Sequence, residues 1–130
     1  MEIPKDLRYT DKHEWARTEG SLVRIGITDY AQDALGDVVF VDLPKTGTEF
    51  QRGVQIGEVE STKSVSELYA PVGGVVVEVN AALVARPELL NSDPYGEGWL
   101  CVLEPSTGAD LVQLLDSTQY ETMTAEESST

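Results

Sequence analysis

The stretch VQIGEVESTKSVSELYA, residues 54–70, places a polar tetrad between two runs of strand-forming residues. Val54 to Glu60 and Val65 to Ala70 carry the β-branched and aromatic side chains typical of strands, and Gly53 punctuates the chain ahead of the first. Ser61, Thr62, Lys63 and Ser64 lie between them, so the segment predicts a β-hairpin with Lys63 at its tip. A lysine in such a place is ordinarily a solvated charge. Here Ser61, Thr62, Ser64 and Ser66 are small and leave the ammonium open to an approaching enzyme, while apolar strands on both sides hold the turn in one geometry. A lysine amine can form an amide with a carboxylic cofactor, and its four-carbon stem then adds reach.

Outward from the hairpin the chain continues in short elements. Ser21 to Ile27 alternates with period two, as a half-buried strand does. Thr28 is a plausible N-cap for a short helix whose stripe is Tyr30, Ala31, Ala34 and Leu35 and whose stop is Gly36. Asp37 to Leu43 is expected to be a buried strand, ended by Pro44 to Gly47, and Val75 to Val79 another strand. Asn80 is placed to cap a short helical piece that Pro87 ends; residues 91–98 read as a loop before a strand around Trp99. Beyond Pro105 the period turns helical, with Leu111, Val112, Leu114 and Leu115 on one stripe, and a second helix begins near Thr118. The pattern is mainly β, a small barrel or sandwich with short helices and a C-terminal helix. One domain is expected over residues 1–120, with 121–130 a polar, acidic, frayed tail.

Composition narrows the partners. Of 130 residues, 23 are acidic and 9 basic, a net charge of −14, so the surrounding field repels phosphate backbones and anionic lipid. Nucleic acid and membrane are therefore not expected partners; basic faces of other proteins are compatible ones. No apolar run is long enough to span a bilayer, and the opening residues have neither a signal-peptide h-region nor a transit-peptide composition, which predicts a cytoplasmic, unprocessed chain. Cys101 is the only cysteine and lies in an apolar run, where a buried, reduced thiol is the expectation. A nucleophile or metal ligand would need partners that a single His13 and no second cysteine do not supply.

The run from Glu60 to Val72, followed by Gly74 to Asn80, resembles the lipoylation region of the glycine cleavage H proteins. Tyr9-Thr10 with His13-Glu14-Trp15, Gly26 to Gln32, Leu35 to Val41, and Asn91 with Pro94 to Leu100 resemble the same family in the same order, covering about Leu7 to Tyr120. Gly73 stands where these proteins commonly have serine, a harmless change in a turn, and Cys101 stands where they have some apolar residue.

The resemblance implies the barrel-sandwich hybrid of lipoyl and biotinyl carriers, with lipoate on Lys63 as an amide. It implies a non-catalytic carrier that takes the aminomethyl group of glycine from a pyridoxal-phosphate glycine decarboxylase to a tetrahydrofolate-dependent aminomethyltransferase. Dihydrolipoyl dehydrogenase then reoxidises the dithiol, and lipoate-attaching enzymes load the carrier. By match to the family pattern, Glu14 and Glu67 are candidates to contact the cationic amine of the loaded arm, against the simpler alternative that both are ordinary surface acids. His13 and Trp15 are expected to pack or hydrogen-bond locally. A main role as lipoate relay to other acceptor proteins remains an alternative. A biotinyl carrier favours methionines where Thr62 and Ser64 stand, and 2-oxoacid dehydrogenase lipoyl domains are shorter. A Schiff-base lysine enzyme would need a desolvated lysine, unlike this polar tip.

Overall fold

Two antiparallel sheets occupy most of residues 8–105 in the computed structural model, which describes residues 1–128. Strands β1 (Arg8–Tyr9), β2 (Glu14–Glu19), β3 (Leu22–Ile27), β5 (Glu49–Phe50), β8 (Gly74–Val79) and β9 (Cys101–Pro105) form one sheet in the order β1-β2-β3-β9-β8-β5. The other is three-stranded, in the order β4 (Val38–Asp42), β6 (Gln55–Ser61), β7 (Val65–Tyr69). The inward residues of the two sheets, among them Ile25, Val59, Val72, Val76 and Leu103, make the main core. The result is a mainly β barrel-sandwich with short helices and a C-terminal helix, as expected.

Helix α1 (Asp29–Leu35) begins where Thr28 caps it, its hydroxyl accepting the Ala31 N–H, and Gly36 ends it at φ 79°. Helices α2 (Ala82–Ala85) and α3 (Leu89–Ser92) follow β8, and Asn80 Oδ1 accepts the Ala82 N–H ahead of α2. Helix α3 takes in Asn91 and Ser92, so the start of the expected 91–98 loop is part of a helical turn, anchored by the buried Leu89 and Leu90.

Three further expectations need correction. Asp37 to Leu43 is not a buried strand: β4 is one of the two edges of the smaller sheet, a register shift between Val38 and Phe40 disturbs its pairing with β6, and Val39 and Phe40 are exposed. The run Val38 to Val41 reads like an interior strand because its solvent-facing residues, Val39 and Phe40, are as apolar as its buried ones. The predicted stripe 111–115 is a 3-10 helix over Gly108–Gln113 that leaves Val112 in water. Leu114 then extends so that Leu115 can bridge to Tyr9, with both N–H to O contacts at 2.8 Å.

The third concerns residues 121–130. Helix α4 (Ser117–Ser128) runs through this segment, with Tyr120 and Thr124 buried, so residues 121–128 are no frayed tail; Ser129 and Thr130 lie outside the described residues. A second, aromatic cluster of Leu7, Tyr9, Trp15 and Tyr120 receives the helix. Tyr120 stacks on Tyr9 with ring centroids 4.6 Å apart.

Cys101 is buried, and desolvation pushes its thiol up to about 12. Alkylation by iodoacetamide near pH 8 should therefore be negligible in the folded protein and complete in denaturant, which mass spectrometry will show. Rapid native labelling would contradict this burial.

Candidate functional site

The hairpin of β6 and β7 carries Lys63 at its exposed tip, as the sequence predicts. Ser61 ties the turn: its N–H donates to Ser64 O at 2.8 Å, and its buried hydroxyl accepts the N–H groups of Lys63 and Ser64 at 3.3 and 3.1 Å. The Thr62 N–H donates to Asp37 O at 3.0 Å, fastening the tip to the connection between α1 and β4. A side chain at Gly36 would crowd the lysine, because a Cβ there would stand 3.4 Å from Lys63 Cε. The lysine stem thus lies over the bare end of α1, while its backbone is held by short-range bonds.

A cleft of about 290 Å³ runs beside this tip. One wall is Ser64 of the turn with β7 from Val65 to Leu68; the other includes Lys12, His13, Tyr30 and Ala34. Glu14 and Glu67 both line it. The Tyr69 N–H points away from β6 and donates to Glu14 Oε2 at 3.1 Å. Alternation along an antiparallel strand then sets the N–H and C=O groups of Val65 and Glu67 on that same edge, facing the cleft.

Glu14 is no surface acid. It is 2% exposed, and the Thr10 hydroxyl donates to its Oε1 at 2.6 Å. Burial raises its carboxyl to about 7, although the Thr10 and Tyr69 bonds pull the other way. Glu67 differs: it is exposed, and its carboxylate accepts the Tyr69 hydroxyl at 2.7 Å. Tyr69 therefore joins the two acids, one through its backbone and one through its side chain. Glu14 also lines a second hollow of about 340 Å³, with Arg52, Tyr69, Pro71 and Leu115.

The raised carboxyl fixes the sign of a stability effect. The folded protein holds the Glu14 proton up to about pH 7, whereas the unfolded chain releases it near an ordinary glutamate value, so stability from this group falls as pH rises between the two. Glu14→Gln removes that dependence. Between pH 4 and pH 8 its unfolding free energy should gain about 2–3 kcal/mol on the parent, read from urea denaturation at each pH. A difference that stays constant with pH would contradict the buried carboxyl.

The sequence did not foretell the span of His13. Its Nδ1 lies 2.7 Å from the Tyr120 hydroxyl and its Nε2 3.1 Å from Glu127 Oε2, so its contacts are long-range and not local. Its ring also stacks on Tyr30, with centroids 4.5 Å apart. Trp15 packs as expected and donates from Nε1 to Pro94 O at 3.0 Å. Among the described residues, no group of three or more His, Cys, Asp and Glu side chains is placed to hold a metal ion, and no helix is long and apolar enough to cross a membrane.

Residues 7–127 match the family model described as glycine cleavage H-protein. A glycine cleavage system H protein of Anaeromyxobacter sp. is 54% identical over 127 residues, covering 98% of this chain and 99% of that one. Those of Thermus thermophilus and Bacillus subtilis are 56% and 52% identical, over 93% and 98% of this chain and 94% and 100% of theirs. The crystal structure of a glycine cleavage system H protein from Mycobacterium marinum superposes with a TM-score of 0.87 at 44% identity, covering 95% of this chain and 99% of that one.

Proposed function

Because the chain belongs to the glycine cleavage H-protein family, we propose that it is a lipoyl carrier with Lys63 as the attachment residue. One observation carries the reading: an exposed lysine on a pinned hairpin stands beside a cleft containing a buried carboxylate. The Lys63 amine would accept the lipoyl carboxyl as an amide from a lipoate-attaching enzyme. When bound, the dithiolane supplies the chemistry of carrying an aminomethyl group from glycine decarboxylase to aminomethyltransferase, with dihydrolipoyl dehydrogenase restoring the disulfide.

The protein's own residues do the rest. Ser61 and Thr62 fix the root of the arm, so that only the arm searches for a docked active site, at an effective concentration on the order of millimolar. The walls of β7 and α1 shield a carried group from water. Glu14 sits where its carboxyl titrates at about 7, and an arriving ammonium would favour its ionised form. Glu67 adds a second, solvated carboxylate at the far end of Tyr69. The chain contributes shelter, charge and a fixed point, and bond-making belongs to the partner enzymes.

Reconstitution tests the reading. Fully lipoylated protein combined with the decarboxylase, the aminomethyltransferase, tetrahydrofolate, the dehydrogenase and NAD should give glycine-dependent NADH. No NADH above background from fully lipoylated protein would overturn the glycine cleavage role and leave lipoate relay.

A further inference from the structure

His13 is the one non-glycine residue with positive φ among the described residues, at 69°. That conformation is unfavourable for a residue with a Cβ and persists only where its surroundings impose it. It directly precedes Glu14 and therefore sets the direction in which the chain delivers that carboxylate. Its carbonyl accepts the Thr28 N–H at 3.0 Å, and its N–H donates to Thr10 O at 3.3 Å.

The imposing contacts come from the other end of the chain. Glu127 only accepts, so the neutral ring carries its proton on Nε2 and leaves Nδ1 to accept the Tyr120 hydroxyl. Tyr120 oxygen in turn accepts the Thr28 hydroxyl, 2.7 Å away, and Thr28 oxygen accepts the Ala31 N–H at 3.2 Å. Each donor in this series has a direction, and the series joins α4, the turn before β2 and the cap of α1. Tyr30 covers the imidazole from α1. Both His13 and Tyr30 line the cleft.

We propose that the C-terminal helix is a positioning element of the cleft: Tyr120 and Glu127 grip the two ring nitrogens of His13, hold its backbone left-handed, and so keep the Glu14 carboxylate on the edge of β7. The helix acts through His13, whose two ring nitrogens it holds. With the grip released, His13 returns to ordinary φ values and Glu14 swings towards solvent, away from the Tyr69 N–H. For a carried amine the consequence is loss of its buried counter-charge, and that part rests on the carrier reading above.

The test uses the full, unlipoylated chain, so its failure and a failure of the carrier reading are separable. Carbon-13 NMR follows the Glu14 side-chain carboxyl, and nitrogen-15 NMR the Tyr69 amide, from pH 4 to pH 9. Charged and titratable neighbours are Asp11, Lys12 and His13 itself on the turn, Glu67 and Tyr69 on β7, Tyr30 on α1, and Tyr120 and Glu127 on α4. In the parent both signals should share a midpoint near 7. Tyr120→Phe keeps the ring that stacks on Tyr9 and deletes only the hydroxyl. It should lower the Glu14 midpoint by about half a unit or more, a roughly three-fold change in the protonation constant, and weaken its link to the Tyr69 amide. Glu127→Leu, at a partly exposed position, removes the acceptor that holds Nε2, should shift the midpoint in the same direction and keeps the test alive if Tyr120→Phe does not fold.

In a His13→Gly background, where glycine takes positive φ unaided, adding Tyr120→Phe should move the midpoint no further. A parent-like midpoint in both folded variants would overturn the proposal. So would an equal Tyr120→Phe shift with and without His13, because it would mean that the helix acts on Glu14 by general stability alone.

Discussion

Lys63→Arg should reduce glycine-dependent NADH formation by the reconstituted system to background while leaving the fold intact. Arginine keeps the positive charge and a long stem, but its guanidinium does not form the amide that a lysine amine forms. The bonds that shape the tip are made by Ser61, the Thr62 N–H and backbone groups, none of which changes. The urea midpoint should therefore move by no more than about 0.5 kcal/mol equivalent, as for an ordinary surface substitution. Full turnover by the variant would show that the carrier function lies elsewhere. Loss of turnover together with loss of stability would show that Lys63 holds the hairpin together.

The largest stability effect is expected from Trp15→Ala. Trp15 is 0% exposed and stands opposite Gly26 on β3, where even one added carbon would meet the indole at 2.5 Å. Removing the ring empties a space that neighbouring backbone cannot refill, and it leaves Pro94 O without its 3.0 Å donor. Truncation of a buried tryptophan costs about 3–5 kcal/mol, and an orphaned buried carbonyl adds to that. Against a net stability of about 5–15 kcal/mol for a domain, the variant should be unfolded or nearly so at 37 °C. Urea denaturation followed by circular dichroism decides it, and a loss below about 1 kcal/mol would contradict the packing described. Gly26→Ala should be destabilising for the same contact seen from the other strand.

What the sequence disclosed and what it hid divide along physical lines. The hairpin, α1 and β8 were legible because their signals are local: period-two alternation, a Thr28 cap, a Gly36 stop, small residues at a turn. β1, β2 and β5 carried no such signal. Two residues of β5 or β1 cannot show a period, and β2 mixes Trp15 and Ala16 inside with Glu14 buried beside them. Edge placement likewise hid the exposure of Phe40.

Site residues divide in the same way. Lys63 could be singled out by turn chemistry together with family resemblance, and Glu14 and Glu67 by resemblance alone. That Glu14 is buried depends on Thr10 folding back and on β7 arriving from 55 positions along the chain. The grip of Tyr120 on His13 spans 107 positions. Composition also misled at the C-terminus, because the polar sequence Thr124-Ala125-Glu126-Glu127 reads as solvated until Tyr120 and Thr124 are seen to face inward. Glu127 there serves as a hydrogen-bond acceptor for the partly buried ring of His13 and not only as solubilising charge.

The most direct measurement of the proposed attachment is peptide mass spectrometry of the chain after incubation with a lipoate-attaching enzyme, ATP and lipoate. The predicted result is one lipoyl increment per chain, confined to the peptide containing Lys63 and absent from Lys63→Arg. An increment on another lysine, or a biotinyl increment on Lys63 in protein made alongside both kinds of modifying enzyme, would contradict it.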